Sequence, residues 1–207
     1  AWLGDGRLAI VDERARAVVV VTVAADTRVI DRNDARVIPV YEEGKKNRGL
    51  EGIAVDPLQR QLFAVREKHP RRLYTISGFL DATAEPTVDV PTALDLADLH
   101  LKDLSGLHFD ARTRHLLVLS DESRELTEID LQGNRISSMR LKWGLAGLRR
   151  SIPQAEGVTL DDRGRLYIVS EPNLIYRFSS EYAGPRPGLD NVAALPVPAA
   201  TPGKPRG

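Results

Sequence analysis

The chain repeats itself, and the length of the repeat decides what it can fold into. Three segments align almost without gaps: GLEGIAVDPLQRQLFAVREKHPRRLYTI from Gly49, DLSGLHFDARTRHLLVLSDESRELTEID from Asp103, and AEGVTLDDRGRLYIVSEPNLIYRF from Ala155. A fourth, GDGRLAIVDERARAVVVVTV from Gly4, matches their second half. The leucine that opens the second apolar run falls at Leu8, Leu62, Leu116 and Leu166, in steps of 54, 54 and 50 residues. A period of this size means a modular architecture. Each unit reads as a short apolar strand, a turn rich in Asp, Pro, Arg or Gly, a second strand, a polar turn and a third strand such as 72–76 or 125–129. Alternating segments at 36–41, 87–91 and 135–141 supply a fourth. Leucine-rich units are shorter, and helical units carry a 3.6-residue period; the only helical turns expected are in the connections 92–101 and 145–150. Four antiparallel strands in ~50 residues make a β-propeller blade.

The expected fold is therefore all-β, a propeller of four-stranded blades with about three and a half blades in this sequence. Unit one opens at its second strand, with residues 1–3 as the tail of a first, and unit four runs out near Phe178. Rings close with ~4–8 blades, so a complete ring of five or six is expected, with the remainder supplied upstream or by a partner. Residues 1–181 are assigned to the propeller. From about residue 182 to 207 the chain turns to Pro, Gly and Ala and reads as a flexible tail.

Composition removes several function classes. Lysine plus arginine and aspartate plus glutamate both total 29, so no whole-domain attraction to nucleic acid is implied, and a nucleic-acid partner is not expected. No cysteine is present, which excludes disulfides, thiolate zinc sites and a cysteine nucleophile. No apolar run approaches the ~18 residues of a spanning helix.

Several stretches carry a family resemblance: NRGLEGIA at 47–54, DLSGLH at 103–108, LSDES at 119–123, and above all IPQAEGV at 152–158 followed by YIVSEPNL at 167–174. In these the chain resembles the SdiA-regulated (YjiK-like) proteins of bacteria across about residues 2–178. The resemblance implies a propeller carried behind an N-terminal signal or membrane anchor in the cell envelope, with no established reaction. Envelope localisation and anchoring through an N-terminal segment absent from this sequence are expectations from that resemblance alone.

Innermost strands converge on a propeller's axis, so equivalent positions in successive blades meet there. Glu51, Ser105 and Glu156, each directly before a glycine, share one such position. Converging carboxylates repel unless a cation, a proton or basic side chains intervene, and Ca²⁺, which favours several oxygen ligands, suits them as a metal site. A second ring of acids follows the second strand: Asp12 and Glu13, Glu67, Asp121 and Glu122, and Glu171. All of these acids are equally open to salt bridges with Arg48, Arg66, Lys68, Arg124 or Arg163, or to capping turn N–H groups. His108, two residues beyond Gly106, is a channel-lining candidate. The four histidines lack zinc-site spacing, and Ser120 and Ser123 lack a nucleophile-elbow motif. The basic run at 45–48 precedes the first Glu-Gly strand and borders the channel mouth or forms a solvated loop.

Two functions follow. One is a non-catalytic binding or scaffold module for an unidentified small molecule or protein, with a Ca-type cation near its channel. The other is a metal-dependent hydrolase of phosphoesters or lactones, with Glu51 and Glu156 holding the ion and Asp121 or Glu122 as general base. No catalytic constellation is complete in the sequence, which favours the first.

Overall fold

A computed structural model describes residues 1–41, 49–68, 70–81, 83–92, 94 and 96–179, and their strands form four antiparallel sheets. The first holds β1 (Trp2–Gly4), β2 (Arg7–Asp12), β3 (Ala17–Thr22) and β4 (Arg36–Pro39). The second holds β5 (Leu50–Asp56), β6 (Gln61–Arg66), β7 (Arg72–Ser77) and β8 (Thr87–Asp89). The third holds β9 (Gly106–Asp110), β10 (His115–Ser120), β11 (Glu125–Ile129) and β12 (Arg135–Arg140). The fourth, among the described residues, holds β13 (Ala155–Leu160), β14 (Leu166–Ser170) and β15 (Leu174–Phe178). Each sheet is a meander in chain order, and the four are the blades of a β-propeller.

The strands match the expected segments to within a residue or two, with one refinement. Trp2 pairs with Leu8 and Gly4 with Arg7, so the first unit has its innermost strand and four strands in all. Of the expected helical connections, 92–101 contains, among its described residues, a single 3₁₀ turn at Ala97–Leu99, whereas 145–150 contains only turns and bends. A second 3₁₀ turn, Arg32–Asp34, opens where the Asp31 carboxylate accepts the Asn33 N–H at 2.8 Å. The expected tail at 182–207, the basic run at 45–48 and His69 lie outside the described residues.

The turn after each inner strand explains the repeated aspartate. Asp56 accepts the N–H groups of Leu58 and Gln59 at 2.9 and 3.1 Å, Asp110 that of Arg112 at 3.0 Å, and Asp161 those of Arg163 and Arg165 at 2.9 Å. These are Asx turns, in which a short carboxylate stands in for a backbone acceptor. Arg60, Arg114 and Gly164, at φ 50°, 60° and 70°, bring the chain round into the next strand.

Alternation along each middle strand supplies the core, one side chain forward and the next back. Leu62, Ala64, Tyr74 and Ile76 pack back against Ala9, Val18 and Ile38 of the first blade. Phe63, Val65 and Leu73 pack forward against Leu107, Phe109, Leu116 and Val118 of the third. Leu119 and Leu126 then pack against Ile168 of the fourth, with Leu141 and Ile152 in the same cluster. Stacked rings add to two of these interfaces: Tyr41 on Tyr74 and Phe63 on Phe109, both with centroids 5.5 Å apart. The same alternation leaves an uncovered face at each end of the stack. Ile10 is 44% exposed on the first blade and Ile175 73% exposed on the fourth, although their equivalents Ala64 and Leu73 are buried between blades.

Candidate functional site

The innermost strands β5, β9 and β13 lie against one another, and glycines make that approach possible. A Cβ on Gly52 would stand 2.9 Å from the Gly106 carbonyl carbon and 2.8 Å from the Leu107 nitrogen; one on Gly106 would stand 3.3 Å from the Gly157 Cα. The glycines that follow Glu51, Ser105 and Glu156 are thus stacked backbone on backbone, which brings these three positions together at one end of the channel. The pairing of β5 with β6 shifts register between Leu50 and Gly52, and that of β13 with β14 between Ala155 and Gly157. Glu51 and Glu156 are therefore bulge residues, freed from the ladder and re-aimed. In the third blade the pairing opens only at Gly106, opposite Leu119, so Ser105 stands just before the ladder, its N–H donating to the Leu119 carbonyl at 2.9 Å.

Neither the Glu51 nor the Glu156 side chain makes an ion pair or hydrogen bond with a described residue. Burial, and then the charges of Glu67, Glu13, Glu156 and Asp103, push the Glu51 carboxyl up from 4.5 to about 7. Burial followed by Asp121, Glu171, Asp103 and Glu67 raises Glu156 as well. Ser105 is 4% exposed and its hydroxyl oxygen has no hydrogen-bond partner among the described residues. A buried hydroxyl without a partner is uncommon and asks for a ligand or water.

Asp103 completes the cluster and was not singled out by the sequence reading. It is buried, accepts from the Ser120 hydroxyl, and accepts the Glu122 N–H at 3.1 Å. Burial nevertheless raises its carboxyl, with the Ser120 hydrogen bond opposing. Its signal was its place two residues before Ser105, at the opening of the third repeat, where Gly49 and Gln154 stand in the neighbouring units.

The second ring serves the scaffold more than the channel. Lys68 Nζ lies 2.8 Å from Glu67 and 2.6 Å from Glu122, tying the second blade to the third. Asp121 accepts the Ala155 N–H of the next blade at 3.0 Å. The exposed Glu171 accepts from Gln154 Nε2 at 3.4 Å, and Asp12 accepts from Arg32 and from the Ala15 N–H. Through their charges Glu67, Asp121 and Glu171 still contribute to the potential felt by Glu51 and Glu156. Among the described residues no three His, Asp or Glu side chains are gathered closely enough to chelate a metal ion. The donors are the hard oxygens that Ca²⁺ or Mg²⁺ takes, but they are not drawn into a closed cage.

His108 lies toward the other end of the channel, on β9, where it lines a cavity of about 660 Å³ together with residues of all four blades. Burial holds its imidazole down at about 4, so the ring is neutral at physiological pH. The Thr159 hydroxyl lies 3.4 Å from its Nδ1.

The sequence profile of the SdiA-regulated family matches residues 1–179. The chain belongs to the SdiA-regulated family. Solved structures with similar folds include the "Nidogen/Laminin Complex", at 14% identity and a TM-score of 0.49 over 76% of this chain and 51% of that one. The WD40 β-propeller domain of Doa1 is similar at 12% identity and a TM-score of 0.46, over 86% of this chain and 49% of that one. A gluconolactonase of Xanthomonas campestris gives 12% identity and a TM-score of 0.46, over 81% and 54% respectively. The SdiA-regulated chain thus spans about half the length of the solved chains it matches.

Proposed function

We propose that this SdiA-regulated propeller is a non-catalytic binding module of the cell envelope whose acidic channel mouth holds a hard divalent cation of the Ca²⁺ type. The observation that carries the reading is the pair of bulged carboxylates, Glu51 and Glu156, raised by burial and by the surrounding acids and unpaired among the described residues, beside the unpartnered hydroxyl of buried Ser105. Basic side chains answer Asp12, Glu67 and Glu122 but not these two. A cation offsets their repulsion, and Ca²⁺ tolerates irregular oxygen geometry and retained water where Mg²⁺ demands a near-ideal octahedron. With few protein ligands, affinity falls in the weak range, roughly 10⁻⁴–10⁻³ M.

Calorimetric titration of Ca²⁺ into the chelator-treated protein tests this. Saturable binding of one ion, lost in Glu51→Gln and in Glu156→Gln, is the expected result; no heat, or heat unchanged by both substitutions, would sink the cation site. Turnover of a phosphoester or lactone, abolished by either substitution, would replace the binding reading with a hydrolase.

A further inference from the structure

The channel has a second chemistry away from its acids. The cavity around His108 is lined by Trp2 of the first blade, Val55 and Leu80 of the second, His108 of the third, and Val158 and Thr159 of the fourth, within a wall that is otherwise mostly apolar. Asp162 and Arg60 are the charged side chains of its lining, one of each sign. Its volume of about 660 Å³ falls inside the ~300–1,000 Å³ typical of small-molecule sites, which pair apolar walls with a few oriented polar groups.

We infer that this cavity is a binding site for a neutral, largely apolar small molecule bearing one hydroxyl or carbonyl group, with His108 and Thr159 as the polar contact. A charged ligand would lose its hydration against apolar walls without gaining a counter-ion from the imidazole, and Arg60 and Asp162, of opposite sign, favour neither charge over the other. A purely aliphatic one would leave His108 unused: apart from the 3.4 Å contact with Thr159, its ring makes no hydrogen bond to a described residue. A ligand oxygen at the imidazole satisfies both groups while its body fills the space between Val55, Leu80 and Val158. The site is separate from the acidic mouth and does not rest on the cation.

Trp2, itself partly open to solvent, lines the cavity and is one of two tryptophans in the sequence; the other, Trp143, is exposed and does not line it. A Trp143→Phe variant therefore leaves a single emitter at the site. Titrating it with N-phenyl-1-naphthylamine, a neutral fluorophore that accepts energy from tryptophan, is expected to give saturable transfer with one probe per chain. In the same background Val55→Phe, which fills the space, weakens probe binding about tenfold. Competition by 1-naphthol and naphthalene reads the polar contact: naphthol competes about fivefold better, as one modest hydrogen bond allows, and His108→Leu removes that preference while leaving naphthalene unchanged. Adding Ca²⁺ or substituting Glu51→Gln alters none of these values. Unsaturable transfer, or equal binding by the cavity-filled and parent proteins with both folded by circular dichroism, would overturn the site. Should Val55→Phe not fold, the naphthol preference decides: its absence in the parent, or its survival in His108→Leu, refutes the role of His108.

Discussion

Replacing Glu51 by glutamine removes the most displaced carboxyl in the channel, and the effect of pH on that change has a definite sign. In the folded protein Glu51 titrates at about 7 rather than 4.5, so the fold favours its protonated form. The favourable contribution is complete below pH ~4.5 and is lost as pH rises to about 7, because between those values the folded chain binds more protons than the unfolded one. At ~1.36 kcal/mol per pH unit, a displacement from 4.5 to about 7 corresponds to at most about 3.4 kcal/mol. Glu51 is only partly buried, and solvent screening reduces this to about 1–2 kcal/mol. Glutamine copies the protonated shape without the charge. In the absence of divalent cations, Glu51→Gln should match the parent at pH 4.5 and exceed it by about 1–2 kcal/mol at pH 7.5 and above. For a chain of this size that is a rise of about 3–6 °C in melting temperature. The comparison has to be made between variant and parent, because His108 works in the opposite direction. Its imidazole is depressed to about 4, so its contribution is present above pH ~6.5 and lost as pH falls toward 4, partly cancelling the Glu51 trend in the parent's own profile. Urea titrations at half-unit intervals from pH 4.5 to 8, in chelator, measure the difference directly. A difference that is flat with pH, or a variant less stable than the parent at pH 8, would refute the claim that the carboxylate is strained by burial and by its acidic neighbours.

Two further changes probe the same mouth. Gly52→Ala places a methyl group 2.8–2.9 Å from the backbone of the third blade, which cannot rotate aside; a loss of about 3 kcal/mol in urea unfolding is expected, at the upper end for overpacking. Lys68→Met unpairs Glu67 and Glu122 and raises the net negative charge beside Glu51, so Ca²⁺ binding should tighten severalfold and become more sensitive to ionic strength in calorimetric titrations.

The blades were legible because their information is local and repeated. Alternating strands, an Asp-started turn and a fixed period specify a meander whichever neighbours it meets, and the strands fell where the pattern put them. Trp2–Gly4 was harder, since a three-residue edge carries too little pattern to announce its pairing with Leu8 and Arg7. In the site, alignment placed Glu51, Ser105 and Glu156 at one position without saying what each acid does. Asp56 and Glu51 sit on the same strand, five residues apart; one builds a turn and the other has no described partner, and only their neighbours in space separate the two roles. Asp103 escaped because its partners, Ser120 and the Glu122 N–H, come from the next hairpin and leave no mark on the strand that bears it. The bulges were hidden too, since register depends on both strands of a pair.

The three inner-strand positions sit in different surroundings, and that governs how this mouth can vary. At Glu51 and Glu156 the backbone has stepped out of the ladder, so exchanging the side chain alters charge and leaves the pairing as it was. Ser105 stands just before its ladder opens, with its side chain enclosed, so a carboxylate there has to bear the cost of a buried charge. Negative charge is taken from the collar one substitution at a time, but at the third blade it is added only against burial.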